Sequence, residues 1–154
     1  ATLSDSVSAY LDVKADACAR LANAACERVY YDSIATLLTK RPLSGAGEAG
    51  MLMELALAQS ALGHASESRR TLDRLFALQR RTAARSDGTG GLDASVIAGT
   101  YARLGQPDSA VSWLERSLSK GNGGYTPKFL AINPKLRMLH GTPEFEEFLR
   151  AHSH

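Results

Sequence analysis

Residues 98–114 read AGTYARLGQPDSAVSWL, and residues 56–72 read ALAQSALGHASESRRTL. Both stretches have an alanine six residues before a Leu-Gly pair and a leucine nine residues after the glycine. A glycine that follows a helical stretch ends the helix in a left-handed residue, so each stretch predicts two amphipathic helices joined by a tight turn. Recurring helix pairs bury their apolar faces by stacking on one another, which predicts an all-α protein with a ridged surface.

Helical periodicity continues through the rest of the chain and predicts three antiparallel helix pairs in a single domain of residues 1–154. The pairs are expected at about 4–41, 48–81 and 93–120, and short capping helices at about 126–151. Glycine-rich stretches at 86–91 and 121–124 are expected to end the second and third pairs, the former as a linker.

The first pair has no internal glycine or proline to mark its turn. We expect the break at Asn23, because asparagine tolerates the left-handed conformation at a helix end. Apolar spacing places Val7 on the buried face of the first helix and Val29 on that of the second, and Phe129 is expected to pack against the last pair.

Composition narrows the class of protein. The chain has 154 residues, of which 44% are hydrophobic and 22% are charged, as expected for a compact folded domain. Its 18 basic and 16 acidic residues give a net charge of +2, which provides no case for nucleic acid or a membrane surface as partner. The longest nearly apolar run, 51–62, is shorter than the roughly 20 residues that span a bilayer, so no direct membrane insertion is expected.

The two quoted stretches resemble tetratricopeptide repeats. The later copy has the family's residues at Ala98, Tyr101, Leu104-Gly105, Ala110 and Leu114, but Ser117 and Asn122 depart from it. The earlier copy keeps Ala56, Leu62-Gly63, Leu72 and Leu75, but Gln59 and Ser68 depart from it. Their glycines lie 42 residues apart, against 34 in a regular repeat, so we expect irregular repeats. The resemblance implies a short α-solenoid that binds a protein or peptide, without a cofactor.

The C-terminal part resembles the end of repeat regions in bacterial signalling proteins, in the pattern Leu130-x3-Pro134-x-Leu136-Arg137-x5-Pro143-x-Phe145-x2-Phe148-Leu149. Such regions accompany winged-helix membrane regulators, Ser/Thr kinases and nucleotide cyclases. The resemblance implies a sensor or docking domain, in the periplasm or the cytoplasm. Because the chain starts at Ala1 without an initiator methionine, we expect a domain excised from a longer polypeptide.

Two cysteines, Cys18 and Cys26, lack the spacing of a structural zinc site. In one straight helix they would be about 12 Å apart, whereas a turn near Asn23 would bring them within disulfide distance on antiparallel helices. Two buried thiols in a helical core are the alternative, so the sequence leaves the redox state open.

Candidate binding residues fall into two sets. A basic stripe on the fourth helix, suited to acidic peptides or phosphate, consists of Arg70, Arg74, Arg81 and Arg85, although a solvated helix face is the simpler interpretation. Side chains of the first helix of each pair are expected to line a binding groove at Gln59, Thr100 and Arg103. No aromatic or recognition motif accompanies the arginines, which argues against nucleic acid.

Catalysis is not expected from this sequence. The histidines lie beside turn glycines or near the C-terminus, at His64, His140, His152 and His154, and no paired-carboxylate or phosphate-loop motif is present. No metal or cofactor site is predicted. The leading hypothesis is a non-catalytic module that binds a protein or peptide, and the alternative is a structural module that forms homo-oligomers.

Overall fold

The computed structural model describes residues 3–45, 47–83, 92–119 and 125–153, with side chains from Ser6 onward. In this part of the chain every regular element is a helix, which confirms the all-α prediction. The elements are α1 (Leu3–Arg20), α2 (Ala24–Thr39), α3 (Glu48–Ala61), α4 (Ala65–Ala83), α5 (Ala94–Arg103), α6 (Pro107–Ser119), α7 (Pro127–Ile132), a 3-10 helix (Pro134–Leu139) and α8 (Pro143–Ala151). The glycine-rich stretches predicted at 86–91 and 121–124 lie outside the described residues.

The chain divides into two compact units, unit 1 (Ala1–Leu92) and unit 2 (Asp93–His154). Unit 1 contains the hairpins α1–α2 and α3–α4, and unit 2 contains the hairpin α5–α6 and the three C-terminal helices. The assignment of residues 1–154 to one solenoid domain stays a prediction.

The two Leu-Gly pairs form the same helix-ending turn. Gly63 and Gly105 have φ angles of +83° and +73°, in the left-handed region where a side chain is strained. The Gly63 N–H donates to the Ser60 carbonyl at 3.1 Å, and the next N–H, of His64, donates to the Gln59 carbonyl at 2.9 Å. The corresponding bonds at Gly105 have the same lengths, so both turns are Schellman motifs that satisfy the last carbonyls of a helix.

The turn between α1 and α2 is a third Schellman motif, built without glycine. Ala22 has a φ angle of +51°, its N–H donates to the Ala19 carbonyl at 3.0 Å, and the Asn23 N–H donates to the Cys18 carbonyl at 2.9 Å. The predicted break is therefore in the right place, but the left-handed residue is Ala22. Asn23 caps α2 instead, since its side-chain oxygen accepts the Cys26 N–H at 3.0 Å.

Aligning the three turns reveals a third copy of the repeat. The fully buried alanines Ala15, Ala56 and Ala98 occupy the same position in the three hairpins. Nine residues after each left-handed residue comes a large buried side chain, at Tyr31, Leu72 and Leu114. The turns at Ala22, Gly63 and Gly105 are 41 and 42 residues apart, so the spacing is nearly constant although longer than expected for the resembled family.

Unit 1 is held together by the packing of neighbouring helices. Within each hairpin the two helices pack on each other, and α2 also packs on α3. The largest side chains of this core are fully buried at Tyr31, Ile34, Leu38, Leu52, Leu57 and Leu75. Polar contacts join α3 to α4, because the Ser68 hydroxyl donates to the Ala56 carbonyl at 2.8 Å. The α2–α3 packing thus links one helix pair to the next.

Unit 2 forms its core around the hairpin α5–α6. The 3-10 helix packs on α5, and α8 packs on α6. The buried cluster consists of Ala98, Ala110, Leu114, Leu130, Leu136, Leu139, Phe145 and Phe148. A side chain at Gly99 would place its Cβ 2.7 Å from the Lys135 carbonyl oxygen, so the absence of a side chain permits the close approach of the 3-10 helix to α5.

A polar contact connects the start of α5 to the segment before α7. The Asp93 side chain caps α5 by accepting the Ser95 N–H at 3.0 Å and the Ser95 hydroxyl at 2.7 Å. The same carboxylate oxygen accepts the Tyr125 hydroxyl at 2.5 Å. Burial raises the pKa of Tyr125 above its ordinary value of 10.0, and the hydrogen bond to Asp93 raises that pKa further.

We expect Tyr125 to deprotonate at higher pH than an exposed tyrosine, and unit 2 to lose stability as the pH rises through and above 10.0. The reason is that a pKa raised by folding favours the protonated phenol in the folded state, a contribution present below the unfolded pKa and lost above it. The difference in tyrosinate absorbance between the wild type and Tyr125→Phe measures this pKa. A difference titration centred at or below 10.0 would contradict the assignment, and Asp93→Asn should lower the midpoint.

Candidate interaction surface

The described ranges were compared with the usual requirements of a metal site and of a membrane-spanning helix. These ranges contain no group of three or more His, Cys, Asp or Glu side chains placed to hold a metal ion. None of the described helices combines the length and apolar character needed to cross a bilayer.

The three side chains predicted to line a groove differ in accessibility. Gln59 of unit 1 is half-buried and accepts the Thr71 hydroxyl at 2.7 Å, a bond that ties α3 to α4. Thr100 of unit 2 is completely buried and donates to the Val96 carbonyl at 2.9 Å. The prediction for Thr100 is therefore wrong, because every residue from Ala94 to Thr100 is buried. This part of α5 is thus covered on every side. Arg103 is half-buried at the end of α5.

The basic stripe on α4 is exposed to solvent at each of its described members. Arg70 and Arg81 are exposed. Arg74 is exposed as well, and it donates to a Glu48 carboxylate oxygen at 2.9 Å and to the Leu43 carbonyl at 2.5 Å, which fixes the segment before α3. Its assignment as a binding residue stays a prediction, since 50% of its side chain is exposed. Arg85 lies outside the described residues.

A disulfide bond joins Cys18 of α1 to Cys26 of α2, with their Cα atoms 5.6 Å apart. This distance is ordinary for a disulfide. The bond closes over the Ala22 turn, and Cys18 is buried in the hairpin. Of the two alternatives that the sequence left open, the structure shows the disulfide. The bond links the two helices of the first pair covalently.

An exposed apolar surface on the first helix pair was missed by the sequence analysis. Val7, Tyr10 and Val13 of α1 are 40%, 59% and 64% exposed, and Leu21, which directly follows α1, is 79% exposed. Together with Lys14 and Ala17 they recur at intervals of three and four residues along one side of the helix. We name this set, Val7, Tyr10, Val13, Lys14, Ala17 and Leu21, the outer face of α1.

Two further expectations about burial are wrong. Val29 of α2 is 62% exposed although its spacing suggested a core position. In unit 2, Phe129 is exposed, and so are Ile132 and Met138. The spacing of apolar residues does not separate these exposed positions from the core, because it does not report which side of a helix a neighbour covers.

The polar member of the outer face lies in its middle. Lys14 is half-buried, and its ammonium group lies 5.2 Å from the centroid of the Tyr10 ring, a cation–π distance. The outer face of α1 therefore combines apolar side chains of large exposed area with a single positive charge. Such a contiguous exposed set is typical of a surface that binds another macromolecule.

Comparison of the chain with protein-family models, with curated proteins and with solved structures found no match. The resemblance to tetratricopeptide repeats and to bacterial signalling proteins accordingly stays a prediction. What the structure itself establishes is an all-α chain that presents an apolar face on its first helix pair.

Proposed function

We propose that this chain is a non-catalytic helical-repeat module that binds a protein or peptide. The observation that carries the proposal is the exposure of four large apolar side chains on the outer face of α1. Exposed apolar area on a helix surface, as opposed to a polar cluster in a cavity, is suited to recognising another chain by burial. The recurrence of one hairpin design in three copies supports a repeat architecture, whose helix faces serve as binding surfaces.

The wider setting of the proposal comes from the two resemblances. The C-terminal pattern supports a sensor or docking role within a bacterial signalling protein. The disulfide between Cys18 and Cys26 supports an oxidising compartment such as the periplasm over the cytoplasm, because thiols are kept reduced in the cytosol.

Self-association is the second candidate function, because exposed apolar faces also pair between copies of one chain. Light scattering of the oxidised protein over a wide concentration range separates the two candidates. A mass that stays monomeric supports binding of a different molecule. A reversible rise in mass with concentration would favour the oligomerisation module.

Direct evidence for the proposed function is expected from selection of a displayed library of random peptides against the oxidised protein. We expect enriched sequences that bind saturably in solution to the wild type, at any face of the molecule. Recovery of no saturable binder would contradict the proposed function. This selection makes no assumption about which face is used, so it tests the function separately from the site assigned below.

A further inference from the structure

The first observation concerns how much of α1 is covered. The small side chains Ala15, Cys18 and Ala19 are buried, and α1 packs on α2. The outer face lies on the neighbouring arc of the same helix, so apolar side chains extend well beyond the part that α2 covers. The apolar part of α1 that α2 does not cover is thus exposed to solvent, although it has the residue types of a packing surface.

The second observation is that the C-terminal half of this arc is covered one repeat later. Because the hairpin turns are 41 residues apart in unit 1, Lys14, Ala17 and Leu21 correspond to Leu55, Ala58 and Leu62, whereas Val7, Tyr10 and Val13 correspond to the half-buried Glu48, Met51 and Glu54. Leu21 is 79% exposed, whereas Leu62 is 7% exposed, and Leu55 and Ala58 are buried as well. The difference in packing is that α3 contacts both its hairpin partner α4 and the preceding helix α2.

We propose that the outer face of α1 binds an amphipathic α-helix of a partner protein, placed on α1 as α2 is placed on α3. This inference rests on the proposed function and specifies its site and partner. The packing of α2 on α3 supplies the geometry of this proposal. One more helix, packed on α1 in the same way, would cover the outer face of α1. The partner helix presents apolar side chains at a spacing of three to four residues, like Tyr31, Ile34 and Leu38 of α2.

The charge on the face specifies the partner further. Lys14 stands where α3 has the buried Leu55. A helix seated over the face would remove the Lys14 ammonium group from water, which costs free energy unless an opposite charge meets it. The partner helix therefore carries an Asp or Glu beside its apolar stripe, opposite Lys14.

The position of Lys14 also argues against a second copy as the occupant. In a dimer with two-fold symmetry, if residue i of one copy contacts residue j of the other, then residue j of the first copy also contacts residue i of the second. Full overlap of two outer faces running from Val7 to Leu21 would place Lys14, at their midpoint, against Lys14 of the other copy. Two ammonium groups in contact repel each other. A partner helix with a carboxylate therefore fits the outer face of α1 better than a second copy of the same face does.

The test uses the oxidised full chain and a labelled peptide of residues 24–41 with Cys26→Ser, which carries the sequence of α2. Fluorescence anisotropy is expected to show saturable binding to the wild type. Val13→Asp or Leu21→Asp should weaken binding by about tenfold or more, because each places a carboxylate in the apolar contact. Lys14→Leu should tighten it several-fold, since α1 then matches α3 at this position.

The matched control is Val29→Asp, which makes the same substitution as Val13→Asp at a 62% exposed residue of α2, outside the outer face of α1, and should leave the affinity unchanged. Circular dichroism spectra equal to the wild type show that the variants fold, which is expected since Val13 and Leu21 are exposed. Equal affinities of the wild type, Val13→Asp and Leu21→Asp would overturn the proposed site.

Peptides with a single glutamate introduced at successive positions beside the apolar stripe test the charge of the partner. At least one should bind the wild type more tightly than the parent peptide and should lose that gain with Lys14→Glu; no gain at any position overturns the carboxylate requirement. A dimer abolished by Val13→Asp would overturn the choice of partner in favour of a second copy. Library peptides that bind the wild type and Val13→Asp alike would overturn this site while the proposed function stands.

Discussion

Replacing Phe145 by alanine is expected to lower the free energy of unfolding of unit 2 by about 3 to 5 kcal/mol, the usual cost of removing a fully buried aromatic side chain. Phe145 is 0% exposed, stacks on Phe148 with ring centroids 6.0 Å apart and contacts the His140 ring edge-on at 5.4 Å. Truncation would leave a cavity between α8 and the rest of the cluster. Urea unfolding followed by the fluorescence of Trp113, the single tryptophan, measures the effect in unit 2.

Phe129→Ala is the matched control, since it deletes the same atoms from a side chain that is 45% exposed. We expect a smaller loss there, about 1 to 2 kcal/mol, because nearly half of the Phe129 side chain stays in water on folding. Similar losses for the two substitutions would show that Phe145 is not part of a packed core.

Removing the disulfide with Cys18→Ala and Cys26→Ala is expected to lower the free energy of unfolding by between about 2 and 3 kcal/mol. The bond closes a short loop, with a sequence separation of 8, and so restricts the unfolded chain less than a long-range bond would. In the folded state it also holds the turn at Ala22, whose left-handed conformation costs about 1 to 2 kcal/mol for a residue with a side chain. Urea unfolding followed by far-ultraviolet circular dichroism measures the loss.

A reductant provides the internal control for this prediction. Reduced wild type and the double variant should unfold at nearly the same urea concentration, and the reductant should not change the double variant. An oxidised wild type no more stable than the double variant would contradict the stabilising role. Because the outer face belongs to α1, the same treatment should also weaken binding of the α2 peptide.

The sequence predicts the position of a helix pair where the residue at its turn is a glycine. Leu62-Gly63 and Leu104-Gly105 mark their turns because glycine adopts positive φ angles without steric cost. The equivalent pair Leu21-Ala22 escapes notice because alanine rarely takes that conformation, and only the aligned positions of Ala15 and Tyr31 reveal it. Here tertiary and covalent constraints, the disulfide and the Asn23 cap, hold a turn that local preference disfavours.

Which residues are exposed is harder to predict from the sequence. The spacing of apolar residues tells which side of a helix is apolar but not whether a neighbouring helix covers that side. Leu21 and Leu62 occupy the same repeat position with opposite exposure, and only the packing of α2 on α3 distinguishes them. Thr100 and Arg74 were assigned to binding surfaces by position on a helix. The enclosure of α5 and the contacts of Arg74 with Glu48 and Leu43 depend on elements distant in sequence, which periodicity does not report.

The close approach of Lys135 to Gly99 has a consequence for the order in which the chain folds. These residues are 36 positions apart, so docking of the 3-10 helix onto α5 must close a long loop before its contacts form. In unit 1, by contrast, α1, α2, α3 and α4 each pack on the next helix along the chain. Contacts between sequence neighbours form fastest, so we expect unit 1 to grow by successive addition of helices and unit 2 to be completed later, when its loop-closing contacts form.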